Sequence, residues 1–169
     1  LLKRAEPQRF LHSEPFIRSI PDWLLLGPAM RVACDAYDHI WVGADGTLQP
    51  DYLARAEQII TKADELGMVV ILGVFYFGQD QRVKDEQAVI AAVDATTRWI
   101  IAKKWRHVLV EVNNEANVKY DHDILKPKRV HELIQRVKAA GLLAGTSFGG
   151  GVVPTAEVIS HSDFLLIHG

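Results

Sequence analysis

The sequence predicts an α/β fold in which short buried strands alternate with amphipathic helices around a parallel sheet. Three observations predict it. From Ala29 onward, short apolar runs alternate with segments whose apolar residues recur at helical spacing, the pattern of βα units. Glycines stand where helices should stop, at Gly67 and Gly141. The strongest apolar run, Met68 to Phe77, is near-continuous and rich in β-branched and aromatic residues, as expected of a strand covered on both faces.

The elements follow in order. Ala29 to Cys34 is the first strand, and the loop after it, through Asp35-Ala36-Tyr37-Asp38-His39 and Asp45-Gly46, has the composition of turns. Leu53, Ala56, Ile59, Ile60, Ala63 and Leu66 form one helix face, and Gly67 suits a left-handed end. Met68 to Phe75 is the second strand. The next helix, about Lys84 to Lys103, carries Ala88, Val89, Ala92, Val93, Thr96, Trp99 and Ile100 on one side; Lys103, Lys104 and Arg106 near its end suit the helix dipole and solvent. His107 to Val112 is the third strand. Pro127 suits a first helical turn, Val130, Leu133, Ile134 and Val137 make an apolar stripe, and Gly141 closes that helix. Leu142 to Thr146 and Phe164 to His168 are two further strands, joined through Gly149-Gly150-Gly151 and a short helix from Pro154. Residues 1–28, with Pro7, Pro15, Pro21 and Pro28, read as irregular surface chain preceding a domain at 29–169.

Five strands and four helices fall short of a complete (β/α)8 TIM barrel, which takes about 250 residues, so an incomplete barrel of parallel strands is expected. A doubly wound sheet is the alternative, but Phe148-Gly149-Gly150-Gly151 lacks the spacing of a nucleotide fingerprint. The 169 residues, 49% hydrophobic, suffice for one core, and 19 basic against 21 acidic residues leave no electrostatic footprint for nucleic acid. No apolar run approaches the roughly 20 residues of a membrane span. The lone Cys34 cannot form an internal disulfide, and no signal core follows Leu1, so the compartment stays open.

In parallel α/β folds, functional groups collect at the carboxyl ends of the strands. That rule selects Asp35 and Asp38, then Tyr76, Gln79 and Asp80, then Asn113, Asn114 and Glu115, then Ser147, and finally His168. The run Glu111-Val112-Asn113-Asn114-Glu115 resembles the E-x-x-N-E motif at the fourth strand of clan-A retaining glycoside hydrolases. Leu66-Gly67-Met68-Val69-Val70-Ile71 resembles their helix-to-third-strand step, Leu166-Ile167-His168 a sixth strand ending in a substrate-site histidine, and Arg31 a second-strand arginine. Phe75-Tyr76-Phe77-Gly78-Gln79-Asp80 together with Val112-Asn113-Asn114-Glu115 looks like a group of uncharacterised bacterial members.

The resemblance covers most of residues 29–169 and implies a carbohydrate substrate, no cofactor and no metal. Glu115 would be the general acid/base, Asn114 would hold the sugar 2-hydroxyl, and His168, Tyr76 and Arg31 would contact substrate. Two departures stand out: Ala116 replaces the usual proline after the glutamate, and Phe75-Tyr76 replaces a histidine after the third strand. The family's nucleophile follows the seventh strand, after the point reached at Gly169, so these residues alone are not expected to turn over a glycoside.

Simpler roles stand beside these. A strand-end glutamate also serves as a cap or solvated loop residue, and His168 also fits as a packed strand-end side chain. Glu111, inside an apolar strand, suits a buried ion pair, with Arg31 the expected partner. His107, His122, His131 and His161 read as surface or loop histidines, and His131-Glu132-Leu133-Ile134-Gln135 lacks the second histidine of a zinc helix. The two Tyr-Asp-His triplets, at 37–39 and 120–122, suit either metal ligation or, more simply, turns. Tyr76, Trp41 and Phe148 suit either a sugar-stacking platform or the rim of the core. The triple glycine suits either close approach to a phosphate or, more simply, flexible linkage. Three function classes follow: a retaining glycosidase, a metal-dependent barrel hydrolase, and a barrel that binds carbohydrate without cleaving it.

Overall fold

The computed structural model describes residues 29–33, as backbone, and 41–168. The irregular segment 1–28, Cys34, Asp35, Asp38, the first Tyr-Asp-His triplet and the Arg31 side chain therefore lie outside the described residues. Strand β1 is Ala29–Ala33, and helix α1, Pro50–Glu65, starts with proline in its first turn, where a missing N–H costs nothing. Gly67, at φ 66°, turns the chain into β2, Val69–Phe75. Helix α2, Glu86–Ala102, is capped by Asp85, whose carboxylate accepts the Ala88 N–H at 2.9 Å. Strand β3 is Val108–Asn113, helix α3 Val130–Ala139, strand β4 Ala144–Phe148, helix α4 Ala156–His161 and strand β5 Phe164–Ile167. Two 3-10 turns, Asp80–Arg82 and Asp123–Leu125, lie in the loops after β2 and β3.

The strands pair in chain order, β1-β2-β3-β4-β5, and every pairing is parallel. Because crossovers between parallel neighbours are right-handed, an order that never reverses puts the helices on one face. The doubly wound alternative needs a reversal and is absent from the described strands. Helix α1 packs on β2, α3 packs on β3 and β4, and α2, α3 and α4 pack side by side. Under them Val70, Leu72, Val74, Val108, Val110 and Val112 are buried with Ile60, Val89, Ile100 and Leu133.

A lateral row runs across the whole sheet in register: Ala33, Gly73, Glu111, Gly145 and Phe164. Glu111 is fully buried in this row, as expected, with a glycine opposite it on each neighbouring strand. Arg31 lies opposite Ile71 along β1; its expected pairing with Glu111 falls outside the described side chains. On this inner face Ile71, Leu109, Phe164 and Leu166 line an apolar cavity of about 570 Å³ that reaches His168.

Four expectations need correction. Strand β4 lies two residues later than expected, because Leu142 still bonds back to Val137 of the helix at 3.4 Å while Phe148 is held by pairing with Ile167. Pro127 sits in the turn leading into α3, where the Val130 N–H already donates to Lys126 O at 2.9 Å. His107 is no surface histidine: it is buried, with Nε2 3.2 Å from Ile60 O and Nδ1 3.3 Å from the Asp64 carboxylate. Trp41 and Phe148 are core rather than platform: both are 1% exposed, and the Trp41 indole N–H donates to Val74 O at 2.8 Å.

Candidate active site

Strands β3, β4 and β5 end beside one another, and their carboxyl ends bring Asn114, Glu115, Ser147 and His168 together. The Glu115 backbone has φ 50°, a left-handed conformation that costs a non-glycine residue about 1–3 kcal/mol and persists only where neighbours fix it. The Glu115 N–H donates to Ser147 Oγ at 2.6 Å, and the Ala116 N–H donates to Ser147 O at 2.8 Å. A proline at 116 could not make the second bond, so Ala116 is used structurally here. Asn117 then pairs reciprocally with Gly149: its Nδ2 donates to Gly149 O at 3.0 Å and its Oδ1 accepts the Gly149 N–H at 2.9 Å.

Glu115 Oε1 lies 2.7 Å from His168 Nδ1, and the two side chains keep 20% and 36% of their surface exposed. The Gly149 backbone approaches it so closely that an added Cβ would sit 2.8 Å from Glu115 Cδ and Oε1. The triple glycine is thus part of the site wall at its first member, not mere linkage.

Next to Glu115, Asn114 is 3% exposed; its N–H donates to Phe75 O at 2.9 Å and its C=O accepts the Tyr120 hydroxyl at 2.6 Å. Burial first, and then the charges of Asp80 and Glu111, push the Tyr120 hydroxyl well above the ordinary tyrosine range, so it remains a donor. Asn113 is fully buried, with Nδ2 donating to Leu125 O and Oδ1 accepting Thr146 Oγ1, which makes it a structural partner of β4. The second Tyr-Asp-His triplet is a bend leading into the 3-10 turn Asp123–Leu125. The acceptor is not its own aspartate but buried Asp80, whose Oδ2 takes the N–H groups of Asp121 and His122 at 2.7 and 3.0 Å. Among the described residues no three His, Cys, Asp or Glu side chains are grouped to hold a metal ion.

Of the expected site residues, Glu115, Asn114 and His168 are brought together. Tyr76 follows Phe75, whose C=O accepts the Asn114 N–H, and its half-buried ring stacks on Phe77 at 4.3 Å. The strand-end rule selects Ser147 and Asp80 without giving them roles; Tyr120 stands out only within a Tyr-Asp-His triplet and Gly149 only within the triple glycine, and no signal in the sequence marks Asn117.

No protein-family model matches the sequence, and no curated protein matches it. Solved structures do share the architecture. A GH5-4 broad specificity endoglucanase from an uncultured bovine rumen ciliate superposes with a TM-score of 0.52 at 15% identity, over 82% of this chain and 43% of that one. A β-glucosidase superposes with a TM-score of 0.51 at 12% identity, over 86% of this chain and 52% of that one. The fold is that of a partial (β/α)8 barrel. The chain spans about half the length of these structures, and at such identities the likeness is one of fold.

Proposed function

We propose that this chain is the part of a retaining O-glycoside hydrolase that carries the general acid/base, Glu115. The observation that carries the reading is the placement of the Glu115 carboxyl group: at the carboxyl end of a barrel strand, partly open to solvent, and hydrogen-bonded to His168. A retaining acid/base must be protonated when it gives a proton to the departing oxygen and ionised when it takes one from water. An imidazole nitrogen serves both states, accepting from the acid or donating to the carboxylate according to its tautomer. Asn114 precedes Glu115 as the family motif requires, and in this reading holds the sugar 2-hydroxyl; Tyr76, Arg31 and His168 border the same substrate. The nucleophile belongs at the end of a seventh barrel strand, outside the five described, about 5–5.5 Å from Glu115.

The test is Glu115→Gln in the full-length protein, assayed on glycosides of graded leaving-group quality. Cleavage of a substrate with a poor leaving group should fall by roughly three orders of magnitude with KM little changed, while activated aryl glycosides lose much less in the first step. Equal rates for the wild type and Glu115→Gln on every cleaved substrate contradict the assignment.

A further inference from the structure

We propose that Tyr120 and Ser147 are positioning residues that grip the Asn114–Glu115 peptide from its two ends and so hold Glu115 in its left-handed conformation, aimed at the substrate cleft. The inference rests on the acid/base reading of Glu115. The peptide carries one acceptor and one donor, and a side-chain hydroxyl takes each: Tyr120 donates to the Asn114 C=O at 2.6 Å, and Ser147 Oγ accepts the Glu115 N–H at 2.6 Å. The two hydroxyls come from different places in the chain, one from the loop after β3 and one from β4, so the peptide cannot rotate without breaking bonds to both. Rotation matters because the orientation of this peptide sets φ of Glu115, and φ 50° is a conformation that a glutamate leaves readily when released. Relaxation to negative φ would swing the side chain off the line joining it to His168.

Each grip is itself anchored. Tyr120 is 4% exposed, and the two residues after it are pinned by Asp80, which accepts both of their N–H groups. Ser147 is fully buried, its own C=O takes the Ala116 N–H, and its strand is in register with β5, Ser147 opposite Leu166. The loop that carries the carboxylate is therefore braced on one side by the β2 and β3 loops and on the other by β4.

The variants Tyr120→Phe, Ser147→Ala and Ser147→Thr in the full-length protein test this beside Glu115→Gln. A loosened acid should cost most where protonation of the leaving group limits the rate. Tyr120→Phe and Ser147→Ala should lower kcat about tenfold or more on a poor leaving group, far less on an activated aryl glycoside, with KM nearly constant. Ser147→Thr, which keeps the hydroxyl, should recover most of the loss. In amide hydrogen exchange, Tyr120→Phe should also speed exchange of the Glu115 N–H, a group Tyr120 does not touch. Equal losses on both substrate classes, or a Glu115 amide as protected in Tyr120→Phe as in the wild type, overturn the grip. If Glu115→Gln shows the leaving-group signature and the other variants do not, the grip alone fails. If Glu115→Gln itself lacks that signature, the acid/base reading fails and the grip fails with it.

Discussion

Glu115 and His168 are 53 residues apart in sequence and 2.7 Å apart in space, and what joins them is the parallel pairing of β3, β4 and β5. Their places at strand ends were legible beforehand, since the strand-end rule needs only the order of elements. The groups that hold them were not. Ser147, Asn117 and Gly149 act through backbone atoms of residues about thirty positions away, and no local pattern encodes such contacts. Gly149 offers the sharpest residue-scale prediction. Its missing Cβ makes room for the Glu115 carboxyl group, and the atoms an alanine would meet belong to a flexible side chain that can move aside. Gly149→Ala should therefore leave the unfolding midpoint almost unchanged, within about 1 kcal/mol, yet lower cleavage of poor leaving groups by displacing Glu115 from His168. A stable variant with wild-type rates would show that the carboxyl position seen here is not the working one.

The strands that position the site were read with unequal success, and composition explains the difference. Strand β2, Val-Val-Ile-Leu-Gly-Val-Phe, advertises itself by its apolar side chains; β4, Ala-Gly-Thr-Ser-Phe, does not, and its expected limits were two residues early. Its small residues have a reason. An added Cβ on Gly145 would lie 2.0 Å from the Phe164 carbonyl oxygen, so glycine is what lets β5 approach β4 at this level and brings His168 into range. Here the obstacle is backbone, which cannot rotate away. Gly145→Ala should force β4 and β5 apart and destabilise the full-length protein by about 1–3 kcal/mol or more, measured as a lowered denaturant midpoint. An unchanged midpoint would mean that the two strands are not seated as described.

At the scale of the whole molecule, the sequential parallel order and the one-sided helices form one consistent arrangement; alternation of apolar runs predicted the parallel α/β sheet, and the strand order excludes the doubly wound alternative that alternation left open. The proposed mechanism also requires a second carboxylate, which the five described strands do not supply. The central claim is that Glu115 is the acid/base of a retaining pair, and azide trapping tests it most directly. In Glu115→Ala of the full-length protein, an activated aryl glycoside should still load the nucleophile, but the intermediate should wait for water that nothing activates. Added azide needs no base, so turnover should rise with azide concentration and the product, followed by NMR, should be a glycosyl azide of the same anomeric configuration as the substrate. Turnover indifferent to azide, or a product of inverted configuration, would contradict the account.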